Sequence, residues 1–206
     1  MKKIILLFLV FFSGIILSFC AHNKPVGSQT ILEKSGSRPS WITEIPESKK
    51  GIMFFRGLKT NAATLDGGIN DARHHALQQI AEMVSTEVNV DYERARVEYG
   101  IPKDDKDIGS VVRDAVIALS QQVVKGAREK ESYYEKIEEI TAGGVHVFFN
   151  VYMLVHLSEE DLKRTANEVI EKEKGKARDK KNKKAEDFLE NMRKDIIERD
   201  YAPEEE

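Results

Sequence analysis

Hydrophobic and polar positions along the chain fall into stretches of different period. Ile4 to Phe19 is apolar apart from Ser13, Gly14 and Ser18. Residues 21–40 (AHNKPVGSQTILEKSGSRPS) reverse the balance and are polar and rich in Gly, Ser and Pro. That composition buries too little apolar surface to order itself and predicts a flexible tether. Arg38-Pro39-Ser40-Trp41-Ile42 then opens the folded part, with Trp41, the single tryptophan, expected to pack as a lid on the core. Ile52-Met53-Phe54-Phe55-Arg56-Gly57-Leu58 fits a buried strand.

A helical period follows Asp66-Gly67-Gly68, with Ile69, Ala72, Ala76, Ile80 and Met83 spaced three or four apart. From Ser85 the spacing shifts toward two. Val88, Val90 and Tyr92 alternate with Asn89 and Asp91, which predicts a strand that slips phase at Ala95, Val97 and Tyr99. Gly100-Ile101-Pro102 and residues 103–107 read as a loop. Ile108, Val111, Val112, Ala115, Leu119 and Val123 mark a second helix ending near Gly126. Ser132–Ile140 and Val145–His156 form a hairpin around Gly143-Gly144. Its second arm places Val151, Met153 and Val155 on one face, with Phe148, Tyr152 and Leu154 on the other.

Ser158 with Asp161 three residues on marks a helix start. Leu162 to Tyr201 is Lys-, Glu- and Ala-rich and free of proline, and reads as one long helix or two broken near Gly175. The order β-α-β-α-β-β-α gives an α+β fold: a small, mostly antiparallel sheet, helices on one face and a long charged C-terminal helix. The expected segments are a signal peptide at 1–19, a tether at 20–38, a domain at 39–157 and a charged helical extension at 158–206.

Composition changes this picture at the N-terminus. Of 206 residues 41% are hydrophobic and 33% charged, with a net charge of −3, so no overall basic field points to nucleic acid. Lys2 and Lys3 before the apolar block match a secretory signal, and their removal takes the net charge to −5. The sole cysteine, Cys20, sits where the block stops. Leu17-Ser18-Phe19-Cys20 resembles the lipobox of bacterial lipoproteins, with Phe19 in place of the usual small residue. Two or three acyl chains of the palmitate type on Cys20 would hold firmly, at about 0.8 kcal/mol per buried CH₂. An uncleaved anchor, or a plain signal peptide with an incidental cysteine, stays open beside this.

Pro39-Ser40-Trp41-Ile42, then Phe54-Phe55-Arg56-Gly57, and a helix bearing Ala72, Ala76, Ile80-Ala81 and Val84-Ser85 form one block. Together with Tyr133-Tyr134-Glu135-Lys136 and Val147 to Val155, it resembles the "LPP-twenty" family of bacterial lipoproteins, related to flagellar accessory lipoproteins of the FlgP type. The match covers roughly residues 39–157 and leaves out the charged C-terminal segment. The resemblance implies an envelope lipoprotein with a structural or assembly role and no catalytic residues.

Candidate chemistry is sparse. His74-His75 with Asp71 could hold a metal on a helix, but neighbouring histidines diverge by about 100° and no third ligand is evident in the sequence. His146 and His156 share a strand face but stand too far apart to share a ligand. No Gly-x-Ser-x-Gly elbow, P-loop, dinucleotide fingerprint or HExxH motif occurs.

The basic stretch 172–184 reads first as a solvated helix face, with anionic lipid or an envelope polymer as its sharper use. Leu189, Met192 and Ile196 form an apolar stripe that would dock on a protein partner or on the chain's own domain. The expectation is a non-catalytic envelope lipoprotein, held to membrane lipid through Cys20 and without cofactor or metal. Ala21 after the cysteine favours the outer membrane, facing the periplasm. An envelope protein or a second copy is the candidate partner. The alternative is an envelope binding module that holds a small ligand or polymer, with a pocket lined by Trp41, Phe148 and Tyr152.

Overall fold

The computed structural model describes residues 24–98 and 106–201. Four strands form one antiparallel sheet in the order β1-β3-β4-β2: β1 Gln29–Lys34, β2 Ile52–Ala62, β3 Arg128–Thr141 and β4 Gly144–Ser158. The central pair is the expected hairpin, running from Arg128 opposite His156 to Thr141 opposite Gly144. Gly144 takes φ +127°, a conformation that side chains with a Cβ rarely adopt. β2 pairs with β4 from Ile52 opposite Ser158 to Ala62 opposite Phe149.

The helices are α1 Leu65–Glu98, α2 Lys106–Gly126, α3 Glu159–Asp179 and α4 Lys183–Glu198. Met53, Val151, Met153, Val155 and Leu157 on one sheet face join Ala72, Ala76 and Ile80 of α1 in the main core. Small residues on α1 let it come close, and Gly57 of β2 receives its backbone. At 34 residues α1 is about 50 Å long. Its first half lies on the sheet, and its second half packs with α2 and α4. There Tyr92 meets Phe188 edge to face at 5.5 Å, and Arg199 pairs with Glu87.

The expected fold class, α+β with an antiparallel sheet, is the one observed, but its element order differs in three places. The strand expected from Ser85 is the second half of α1. Val84, Val88 and Tyr92 are four apart as well as partly alternating, and α2 and α4 supply the packing that decides for helix. Val90, which alternation would bury alongside Val88, is 50% exposed. Tyr99 and residues 100–105 lie outside the described residues.

Secondly, part of the expected tether is β1, paired with β3 from Gln29 opposite Glu139 to Lys34 opposite Glu135, with a bulge between Ile31 and Glu33. Thirdly, the C-terminal segment is two helices, and the break falls at Lys180–Asn182 rather than Gly175. Lys181 takes φ +56° and Asn182 caps α4 by accepting from the Ala185 amide at 3.1 Å. Ser158 caps α3 as expected, accepting from the Asp161 amide at 3.3 Å.

Candidate functional site

The Cys20 lipidation expectation falls outside the described residues. The chain from Lys24 to Glu98 lies within them. Pro25 to Ser28 forms a turn, closed by the Ser28 amide on the Pro25 carbonyl at 3.0 Å, with Gly27 at φ +89°. The Gly27 amide donates to the Ile140 carbonyl at 2.7 Å, and the Ile140 amide donates back to Ser28 at 3.0 Å. Lys24 Nζ reaches Thr30 Oγ1 at 2.8 Å and Glu138 Oε1 at 3.2 Å. The segment from Lys24 to Lys34 is therefore docked along the hairpin, next to the β3–β4 turn.

The sheet face away from the helices carries a small second core of Trp41, Ile42, Tyr133 and Leu154, with Phe54 and Tyr152 packed against it. Trp41 sits in a 3₁₀ turn, Ser40–Ile42, that follows Pro39. Polar clasps hold this lid down. Trp41 Nε1 donates to Glu131 Oε2 at 2.6 Å, and Arg56 donates to the Ile42 carbonyl. Arg38 donates to Glu135 Oε1 at 2.9 Å while its guanidinium lies 5.6 Å from the centre of the Tyr152 ring. Glu135 is buried, and the Tyr133 hydroxyl donates to it at 3.1 Å. Burial, with that carboxylate beside it, pushes the Tyr133 hydroxyl up from its ordinary value.

A buried carboxylate needs a partner, and Arg38 provides it from a half-exposed position. Sequence reading anticipates the Trp41 lid but not these clasps. The alternation of β3, which puts Glu131, Tyr133 and Glu135 on the face of Leu154 and Tyr152, was the available signal. The ligand pocket expected from Trp41, Phe148 and Tyr152 takes another form: Trp41 and Tyr152 pack together, and Phe148 is buried outside their cluster.

The C-terminal stripe also has a different use from partner contact. Leu189, Met192 and Ile196 are fully buried in the main core beside Phe188, so in this arrangement they present no surface to another protein. Ion pairs lock the helical hairpin around them: Lys174 to Glu190 at 2.5 Å and to Glu171 at 2.8 Å, and Arg193 to Glu190 at 2.7 Å. Arg193 and then Lys174 hold the Glu190 carboxyl down at about 2.

The basic stretch separates into charges with and without a carboxylate partner among the described residues. Lys174, Lys176, Arg178 and Lys183 pair with carboxylates. Lys180, Lys181 and Lys184 are exposed and line, with Ile108, Ser110 and Val111, an open groove of about 580 Å³ at the α3–α4 turn.

The histidines are placed apart. His75 Nδ1 accepts from the Leu58 amide at 3.1 Å, Asp71 pairs with Lys59 at 3.0 Å, and His146 stacks near Phe148 at 5.3 Å. Among the described residues no group of three or more His, Cys, Asp or Glu could hold a metal ion, and no helix is long and apolar enough to cross a membrane. Comparison with models of protein families, with curated proteins and with solved structures finds no match to this chain.

Proposed function

We propose that the protein is a membrane-anchored bacterial envelope lipoprotein with a structural or assembly role, and that it works by contact rather than catalysis. The observation that carries this reading is the N-terminal order of residues: two lysines, sixteen mostly apolar residues, then the only cysteine of the chain. A thioether-linked lipid on Cys20 tolerates a polar body behind it, because the acyl chains alone supply the membrane affinity. The resemblance of residues 39–157 to the "LPP-twenty" lipoproteins supports the same reading, and Ala21 favours the outer membrane. The packed Trp41 lid and the internally used C-terminal stripe suit a rigid body that presents surfaces to neighbours.

The test is fractionation of cells expressing the wild type and Cys20→Ala, with the intact mass of each purified protein. Wild type is expected in the membrane fraction with diacylglycerol mass on its mature N-terminus. The alanine variant is expected to leave that fraction or to keep its leader. A wild-type protein with a free thiol would overturn the anchor.

A second reading, an envelope module that binds an anionic polymer, is favoured by the groove at Lys180–Lys184, where three lysines have no carboxylate partner among the described residues. Salt-sensitive co-sedimentation with cell-wall sacculi, lost in the triple glutamate variant at 180, 181 and 184, would support it.

A further inference from the structure

The first described residues fix how far the folded body can stand from Cys20. Lys24 is tied to Glu138 and Thr30, and the turn that follows is bonded to Ile140. Only Ala21, His22 and Asn23 separate the cysteine from that docked chain. Four Cα-to-Cα steps span at most about 14 Å. A tether of nineteen residues would leave orientation open, whereas one of three residues does not. Whatever surface holds the Cys20 lipid lies beside the β3–β4 turn.

That end of the molecule has the chemistry of a bilayer interface. Between Ile140 and Asn150 the chain reads ITAGGVHVFFN, without a single Asp, Glu, Lys or Arg. Val145 is 63% exposed, Val147 41%, and Val26 on the adjacent turn 68%. Farther from the turn, Ile31 opposite Ile137 and its neighbour Leu32 are also exposed. Water-facing valines in this number cost free energy unless something apolar receives them. The nearest carboxylates are matched: Glu138 pairs with Lys24, and Glu139 accepts from Gln29 Nε2 at 3.2 Å. The opposite end behaves differently. α3 leaves the sheet at Ser158, packs on α2 and α4 rather than back along the sheet, and ends at the lysine-rich turn.

We propose that the β3–β4 end of the sheet, with Val145, Val147 and Val26, rests in the headgroup and upper acyl region of the bilayer, so that the domain stands end-on with the Lys180–Lys184 turn away from it. The occupant of the apolar tip is a lipid surface, and the proposal rests on the Cys20 anchor. The tip then acts as a second, shallow membrane contact that sets orientation, while the acyl chains set affinity.

The full chain is purified from cells and reconstituted into phosphatidylethanolamine–phosphatidylglycerol vesicles. A polarity-sensitive fluorophore is placed on Val145→Cys or, as a control, on Lys184→Cys. The acylated Cys20 does not compete for the label. Doxyl lipids quench any probe that enters the bilayer.

The expected result is blue-shifted emission at position 145, lost on adding doxyl lipid, with a probe at 184 that neither shifts nor quenches. Water-like emission at 145 overturns the proposal. So does a blue shift that lipid does not quench, since a second copy or another part of the chain then covers the valines. Quenching at both positions overturns the end-on arrangement, because the domain would lie flat. The intact mass of the same preparation separates the two levels. An unmodified Cys20 removes the anchor and this proposal with it, whereas an acylated protein with a wet tip removes this proposal alone.

Discussion

A Cβ built on Gly57 would lie 1.8 Å from the carbonyl oxygen of Ala72. The second strand and the first helix therefore meet backbone to backbone, and the obstacle is a helical carbonyl that cannot swing aside. This contact seats α1 on the sheet and aligns Ala72 and Ala76 with Met53 and Met153 in the core. Gly57→Ala is expected to cost about 3 kcal/mol or more, as overpacking against a fixed neighbour does. The chemical denaturation midpoint measures it, and an unchanged midpoint would contradict the close approach.

The same helix also covers the outer edge of β2. His75 Nδ1 accepts the outward Leu58 amide, and Gln79 Nε2 donates 3.0 Å to the outward Arg56 carbonyl. An exposed strand edge invites pairing with other chains, and side chains from α1 occupy its hydrogen-bonding groups. In His75→Ala the Leu58 amide is expected to exchange faster with deuterated water, for a stability loss of about 1 kcal/mol. Unchanged exchange at Leu58 would count against the cap.

Leu189→Ala is expected to destabilise the protein by about 2–5 kcal/mol, the range for emptying a packed leucine site. Thermal unfolding measures this. A surface residue at that position would show almost no change, and the substitution would then act only on a partner.

Stability should fall in acid with a contribution from one carboxylate. The Arg193 and Lys174 partners bring Glu190 from 4.5 to about 2 in the folded state. Its stabilising effect is therefore fully present above about 4.5 and is lost as pH drops toward 2. Denaturation midpoints of wild type and Glu190→Gln should converge across that window. A constant gap between them would remove this explanation.

Trp41, as the only tryptophan, reports the lid directly. Glu131→Ala removes the acceptor of its indole N–H. The expected outcome is a red shift of tryptophan emission, easier quenching by iodide and a stability loss of about 1–2 kcal/mol. Unaltered emission would mean that the lid is held by apolar contact alone.

The legible parts of the fold are those whose own side chains carry a period. β4 is readable because both of its faces are apolar in alternation, and its hairpin because Gly143-Gly144 interrupts two such arms. β1 has no such signal. QTILEK is exposed on nearly every side chain and is held by pairing with β3 and by cross-strand contacts such as Tyr134 Oη donating to Glu33 at 2.6 Å. A run whose stabilisation lies in another strand looks like a tether by composition.

Val84, Val88 and Tyr92 fail for another reason. Their spacing satisfies two periods, and only the neighbouring helices choose between them. At the C-terminus the apolar face of α4 is visible from residues 188 to 196, but an amphipathic pattern says that a face is buried, not against what. Two of the lid's clasps, Trp41 with Glu131 and Arg38 with Glu135, join residues 90 and 97 positions apart, and no local pattern encodes such a pair.

The strand order has a consequence for how the chain is made. β1 and β2 flank the central hairpin and never touch each other, so each must wait for residues 128–158 before it has anything to pair with. A polypeptide emerging from its N-terminus holds both outer strands open until more than half its length has been synthesised. Closure of the sheet is thus a late, long-range event. Until then β2 has only α1 to lean on, through the Gly57 contact and the His75 and Gln79 bonds to its outer edge.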